Sequence, residues 1–151
     1  MSKLKDLINR ITEFGTNPNV VSENKTDEIQ KLLVEIYSIY LNLNAKFEDA
    51  DFDEEPNFNY ESIKKNVEAN FPEFGWYHSV WNCHKIISDA DLLTEDSIDD
   101  ITDIIKDLLE VKWCFENTTN KNAEWHFFDL MKIHSEQHFV NLLKYIKDKN
   151  G

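Results

Sequence analysis

Apolar residues recur every three or four positions along most of this chain, and this spacing constrains the fold more than any other feature. An α-helix has about 3.6 residues per turn, so residues three and four apart lie on one face. The pattern covers residues 4–14, 29–43, 98–115 and 127–145. The chain is therefore predicted to pack several helices together through their apolar faces.

Residues that form tight turns are scarce, which excludes most alternatives to a helical fold. The 151 residues include only 3 glycines and 3 prolines. Sandwiches, barrels and doubly wound folds need such residues at nearly every connection. We expect an all-α fold with essentially no sheet: a single-domain antiparallel helical bundle of about five helices over residues 1–151.

Start and stop signals set the predicted bounds of the helices. The first helix is expected to stop at residues 15–18, where a glycine precedes a proline. The second starts with Thr26 as its cap and runs to about Phe47. A short helix follows over residues 60–71. The fourth is capped by Ser97 and runs to about Phe115, and the last begins near Asn122 and ends in the C-terminal lysines.

Two segments between the predicted helices are less regular. Residues 48–56 form an acidic run that ends in proline, which is typical of a solvated loop. An EF-hand calcium loop needs a glycine and a final glutamate at fixed offsets, and this run lacks both, so we expect no calcium there. Residues 74–81 are rich in aromatic side chains, and we expect them to pack against the bundle rather than form an exposed binding platform.

Charge and cysteine content limit the partners and the compartment. Asp and Glu total 29 against 16 Lys and Arg, a net charge of -13. Such a field repels nucleic acids and anionic membranes and attracts basic proteins.

Cys83 and Cys114 are too few for a disulfide framework, so both are expected to be reduced and unpaired. With no secretion signal or membrane-spanning stretch in the sequence, we expect a cytoplasmic protein.

Carboxylates and imidazoles on the last two predicted helices form the strongest candidate site. Asp100, Asp103, Asp107 and Cys114 fall on one stripe at the border of an apolar face. His134 and His138 are four residues apart, so their rings share a face, which we expect to be buried. If the two helices are antiparallel neighbours, the acidic stripe and the imidazoles meet across their contact. We therefore expect direct hydrogen bonds between these histidines and aspartates.

Three interpretations of this Asp/His cluster remain open. In the first, the residues form a structural hydrogen-bonded network, as buried polar groups require. In the second, His134, His138, Asp100, Asp103 and Asp107 provide ligands for zinc or iron between the helices. In the third, an Asp–His pair acts as an acid–base catalyst, although the sequence places no nucleophile beside it.

Other candidate motifs are weaker. His78 and the adjacent Cys83–His84 offer ligand types, but a neighbouring Cys and His do not readily chelate one ion, and a buried thiol is expected at Cys83. The sequence contains no GxGxxG, GxxxxGK[ST], GxSxG or HExxH motif. These absences lower the expectation of an enzyme.

Residues 71–146 resemble the C-terminal half of a bacterial domain-of-unknown-function family, number 5063. The resemblance depends on the run DDITDIIKDL, an aromatic-rich stretch and the motif HSEQH. It implies an all-helical fold and no particular activity. Ser135 and Glu136 replace a Trp and a Gly of the family motif. The positions that match the family's acidic and histidine motifs are Asp99, Asp100, Asp103, Asp107, His134 and His138.

Two functions therefore follow as expectations. The acidic charge favours a non-enzymatic interaction module that binds a basic protein partner, as immunity proteins and small inhibitors do. The alternative is a metal-binding helical protein with its site among the Asp and His residues of the last two helices.

Overall fold

Within residues 2–48 and 56–151, the computed structural model has six α-helices and one two-stranded antiparallel sheet. The helices are α1 (Ser2–Thr16), α2 (Lys25–Asn42), α3 (Tyr60–Asn70), α4 (Ser97–Asn117), α5 (Asn120–Leu130) and α6 (Glu136–Lys149). The strands are β1 (Trp76–Val80) and β2 (Leu92–Asp96). A π-helical turn, Met131–Ser135, joins α5 to α6.

The central helix of the bundle is α4. It packs against α1 and α3 on one side and against α5 and α6 on the other. Ile101, Ile104, Ile105, Leu108 and Val111 are nearly inaccessible to solvent. Burying one such side chain contributes about 1.5–3 kcal/mol, so α4 supplies much of the apolar contact that stabilises the bundle. The predicted helical fold is confirmed.

Two helices begin with caps other than those predicted. Asn24 rather than Thr26 caps α2, because its side-chain oxygen accepts a hydrogen bond from the backbone N–H of Asp27. Asp96 rather than Ser97 caps α4 by accepting from the N–H of Ile98. Ser97 is buried in the first turn, where its hydroxyl donates to the carbonyl of Gly75 over 2.6 Å. At its other end, α2 stops at Asn42, before the predicted end near residue 47.

The first helix ends at Thr16, within the predicted stop at residues 15–18, but Gly15 is not itself the stop signal. It lies inside α1, where the helix approaches α3 and α4 closely. A Cβ atom at this position would lie 2.6 Å from Cγ2 of Ile105 and 2.9 Å from Cγ2 of Ile63. Glycine is needed here for close packing and not as a stop signal.

The hairpin of β1 and β2 corrects the expectation of essentially no sheet. The strands pair antiparallel, with Trp76 opposite Asp96 and Val80 opposite Leu92. The scarcity of glycine did not prevent the reversal, because Asn82 adopts the left-handed conformation with a φ of 52°. Asparagine tolerates that conformation better than most residues, so it can take a turn position at which glycine is otherwise expected.

The aromatic segment at residues 74–81 packs against the bundle only in part. Phe74 is buried and its ring contacts those of Phe71 and Tyr145. The side chains of Trp76 and Trp81 are largely exposed, so the expectation that this whole segment is packed is wrong. In a strand with one face toward the bundle, alternate residues point outward, and Trp76 is one of these.

The two cysteines are unpaired, as predicted. Cys114 is buried on α4, whereas Cys83 is exposed in the loop of the hairpin, which corrects the expectation of a buried thiol there. Burial and the charge of Glu110 raise the pKa of Cys114 to about 11, so its thiol stays protonated at neutral pH.

Residues 49–55, which are most of the predicted acidic loop, lie outside the described residues. The prediction that this loop binds no calcium concerns the same residues. Among the described helices, none combines the length and apolar character that crossing a membrane requires.

Candidate metal centre

The contact between α4 and the last helical segment brings the predicted aspartates and histidines together. Asp107 lies beside His134, and Asp100, two turns earlier on α4, lies beside His138. Asp100 precedes Asp107 along α4, whereas its partner His138 follows His134. The two helical segments therefore run antiparallel, as predicted. The predicted hydrogen bonds between histidines and aspartates are present.

A π-helical turn sets where the two histidines point. The backbone N–H of Glu136 donates to the carbonyl of Met131, five residues earlier. Through this turn every fourth residue is buried. In a regular helix of 3.6 residues per turn, residues at this spacing would drift around the axis and out of the core. The row consists of Phe127, Met131, Ser135 and Phe139.

Each histidine precedes a member of this buried row, so both lie at its rim. The side chain of His134 is 45% exposed and that of His138 is 19% exposed. The prediction that both rings are buried is wrong, because it assumed a uniform helical period through the turn. The rim position leaves one edge of the pair open to solvent.

The Nδ1 edge of each imidazole is held by a buried carboxylate. Nδ1 of His138 lies 2.7 Å from Oδ1 of Asp100, and Nδ1 of His134 lies 2.6 Å from Oδ2 of Asp107. Because a carboxylate can only accept, each Nδ1 carries the proton of its ring. These contacts fix the orientation of both rings.

Two further residues support the carboxylates, and the sequence analysis identified neither. The hydroxyl of Tyr77, on β1, donates to Oδ2 of Asp100 over 2.5 Å. The hydroxyl of Ser135 donates to Oδ2 of Asp107 over 2.6 Å. Ser135 could have been found as the one polar member of the buried row, but nothing in the sequence connects Tyr77 to this site.

The Nε2 edges of the two rings face each other and Asp103. The two Nε2 atoms are 3.3 Å apart, and Nε2 of His138 lies 3.4 Å from Oδ2 of Asp103. One ligand atom from each of these three residues lies within 4.8 Å of the others. Cys114, on the same predicted stripe, is not part of this group.

The site is electrostatically negative and favours a cation. Burial raises the pKa of Asp103, and the charge of Asp99 raises it further. Burial lowers the pKa of His138, but the hydrogen bond to Asp100 and the charges of the surrounding aspartates outweigh it and raise the pKa above its ordinary value. The charges of Asp99, Asp100 and Asp103 therefore make the surroundings of His138 negative.

Proton positions follow from these contacts. A neutral imidazole has one N–H, and Nδ1 carries it in both rings, so both Nε2 atoms are acceptors. Two acceptors 3.3 Å apart repel each other unless a cation lies between them. A proton on one of the two Nε2 atoms or a metal ion between them would remove this repulsion.

The spacing of the ligand atoms fits tetrahedral zinc. With bonds of about 2.0–2.1 Å, the ligand atoms of a tetrahedral site are roughly 3.3–3.4 Å apart. The 3.3 Å between the two Nε2 atoms and the 3.4 Å between Nε2 of His138 and Oδ2 of Asp103 match that value, and the third pair, from His134 to Asp103, lies within 4.8 Å. The structure thus divides the five predicted residues into two groups. His134, His138 and Asp103 can bind the ion, while Asp100 and Asp107 orient the histidines.

The fold and the site together define a helical-bundle protein with a candidate centre of two histidines and one carboxylate. The fold is similar to that of protein BF1032 from Bacteroides fragilis, with a TM-score of 0.74 and 15% sequence identity. The alignment covers 98% of this chain and 90% of the other. At this identity the likeness concerns the fold alone.

No protein-family description and no curated protein matches the sequence. The resemblance to family number 5063 therefore stays a prediction.

Proposed function

We propose that this protein binds a divalent transition-metal ion, with zinc as the best geometric fit, through Nε2 of His134, Nε2 of His138 and a carboxylate oxygen of Asp103. One observation carries the proposal: the Nε2 atoms of the two imidazoles lie 3.3 Å apart, while buried carboxylates hold the Nδ1 atoms of both rings. Histidines that ligate metals are typically oriented in this way by a carboxylate.

A structural Asp–His network explains the Nδ1 contacts but not the Nε2 arrangement. Satisfying the buried carboxylates requires only one edge of each ring. The convergence of the opposite edges beside Asp103 is the arrangement that a bound cation would produce. A shared proton is the competing cation, and direct metal titration distinguishes the two.

Isothermal titration of the chelator-treated protein with Zn²⁺ tests the proposal. We expect one ion per chain and a loss of affinity of roughly 10-fold or more in His134→Ala. Because the His134 ring lies at the rim and is 45% exposed, its removal opens no cavity in the apolar core, and Ser135 still donates to Asp107. His84→Ala, which removes an exposed imidazole of the hairpin loop, is the matched control and keeps wild-type affinity. Absence of saturable binding in the wild type would favour the shared proton and refute the proposal.

A second candidate function is the binding of a basic protein partner, as an immunity- or inhibitor-like module does. The hairpin supports this function, because several large apolar side chains on it are exposed to solvent. They are Trp76, Val80, Trp81, Ile86, Ile87 and Leu92. Exposed apolar groups of this kind mark interaction surfaces, and tryptophan is frequent among residues that dominate binding.

Charge specifies the partner for the hairpin. A net charge of -13 disfavours a second copy of this chain and attracts a partner with basic residues around an apolar centre. Peptides selected from a random library should be basic, and their binding should weaken with salt. The double variant Trp81→Ser/Ile86→Ser should abolish binding, whereas Val21→Ser/Leu41→Ser, which changes exposed apolar residues elsewhere, should not. Selected peptides that bind both variants equally would exclude the hairpin as the binding surface.

A further inference from the structure

We infer that the metal centre keeps a fourth coordination position open to solvent, where it holds an exchangeable water and takes small neutral nitrogen donors in preference to anions. This inference rests on the proposed metal binding. Structural zinc sites have four protein ligands, whereas sites with three keep a position for water or another ligand. Within residues 2–48 and 56–151, only His134, His138 and Asp103 bring ligand atoms together.

The neighbouring polar groups are held away from the fourth position. Asp100 uses one oxygen for His138 and the other for Tyr77. Asp107 accepts from His134 and Ser135 on the Nδ1 side, away from the converging Nε2 atoms. Moving either carboxylate to the ion would break two hydrogen bonds in a buried position, which costs more than leaving the position to water.

Solvent reaches the ion from the side of His134. This imidazole is 45% exposed, and the neighbouring Lys132, Ile133 and Gln137 are exposed as well. Asp100 and Asp107 are almost completely buried on the far side of the rings. The open position therefore faces outward, and a small ligand can enter without displacing a protein group.

The charge around the site selects the ligand. Three carboxylates surround the centre in addition to the ligand Asp103. Asp100 and Asp107 contact the two histidines, and Asp99 lies one turn before Asp103 on the same face of α4. Their summed field disfavours an entering anion but acts much less on a neutral donor. Imidazole and azide are probes of similar size that differ in this charge.

Absorption spectra of the Co²⁺-substituted protein test the inference. We expect visible bands of four-coordinate cobalt that shift on titration with imidazole, and a much weaker response to azide. In Asp99→Asn, the preference for imidazole over azide should narrow several-fold, while Glu61→Gln, which removes an exposed carboxylate on α3, should leave it unchanged.

The outcomes separate the two proposals. Cobalt spectra that neither ligand alters would show a closed site and overturn this inference while metal binding stands. Azide binding as strongly as imidazole would overturn the stated selectivity. If the protein takes up no cobalt or zinc, the proposed function falls and the inference with it.

Discussion

At the residue scale, the site depends on a carboxylate that is almost completely buried. Only 1% of Asp100 is exposed, and its two oxygens are satisfied by His138 and Tyr77. Helical spacing predicted the pairing of aspartates with histidines, because the pairing depends only on which face of each helix carries these residues. It could not predict which edge of each imidazole faces the carboxylate, since that depends on the rotation of the helix at the π-helical turn.

Removing the Tyr77 hydroxyl should destabilise the protein. Tyr77→Phe leaves one oxygen of a buried carboxylate without its donor, at a cost of about 1–3 kcal/mol in the free energy of unfolding. Urea denaturation measures the change. Tyr40→Phe is the control, because within the described residues only burial and the charge of Glu136, and no hydrogen bond, act on the Tyr40 hydroxyl. Equal stability of Tyr77→Phe and the wild type would contradict the role of the hydroxyl.

An ion pair between α1 and α2 predicts a pH dependence of stability. Arg10 donates from Nε and Nη2 to the carboxylate of Glu28, the second contact being 2.8 Å long. This hydrogen bond lowers the pKa of Glu28 below its ordinary 4.5, although burial opposes it. A lowered folded-state pKa stabilises the protein above the unfolded value, and the contribution is lost as the pH falls through the folded value.

Unfolding in urea at about pH 6 and at about pH 3 checks this dependence. Glu28→Gln should be less stable than the wild type at the higher pH and should lose less stability on acidification. Glu61→Gln should keep the wild-type slope. If the free energy of unfolding falls by the same amount between the two pH values in Glu28→Gln and in the wild type, the contact with Arg10 contributes nothing to the pH dependence.

At the element scale, long amphipathic helices were predictable and short irregular elements were not. Helix α4 begins one residue before the predicted start, because Asp96 and not Ser97 is its cap, and it ends at Asn117, two residues beyond the predicted end. The hairpin was missed because its strands have five residues each and reverse through Asn82 instead of a glycine. Such short apolar runs have too little periodicity to distinguish a strand from packed irregular chain.

Gly15 provides an element-scale prediction about close packing. In Gly15→Ala the new methyl group meets the Cγ2 atoms of Ile63 and Ile105, and β-branched side chains are stiff at χ1. Overpacking of this kind costs about 1–3 kcal/mol, against a gain of about 1 kcal/mol in helix propensity. A net loss of about 1 kcal/mol should appear in thermal or urea unfolding.

Gly75→Ala is the matched control for this prediction. A Cβ atom at Gly75 meets nothing within 4 Å, so this variant should have nearly the free energy of unfolding of the wild type. An increase in stability for Gly15→Ala would mean that α1 can shift away from α3 and α4.

At the scale of the whole molecule, stability should depend on the metal. An ion that binds only the folded chain adds about 2.7 kcal/mol when its free concentration is 100 times Kd. For a chain of this length, that corresponds to a rise in Tm of about 5–10 °C. Calorimetry with and without Zn²⁺ should show the rise in the wild type and its absence in Asp103→Asn. An equal rise in both would place the bound ion elsewhere on this acidic surface.

The π-helical turn at Met131–Ser135 makes the site sensitive to a change in chain length. Such a turn accommodates one residue more than a regular helix would. Deleting one residue of the turn would let α5 and α6 join as one continuous α-helix. Because the deletion removes the residue that the turn absorbs, the helix after it would keep its phase, and His138 would still face Asp100. Adding one residue would instead rotate the following face by about 100° and turn His138 away from Asp100. Homologues one residue longer in this turn should therefore lack the contact, whereas homologues one residue shorter should keep it, so the direction of an alignment gap would distinguish the two.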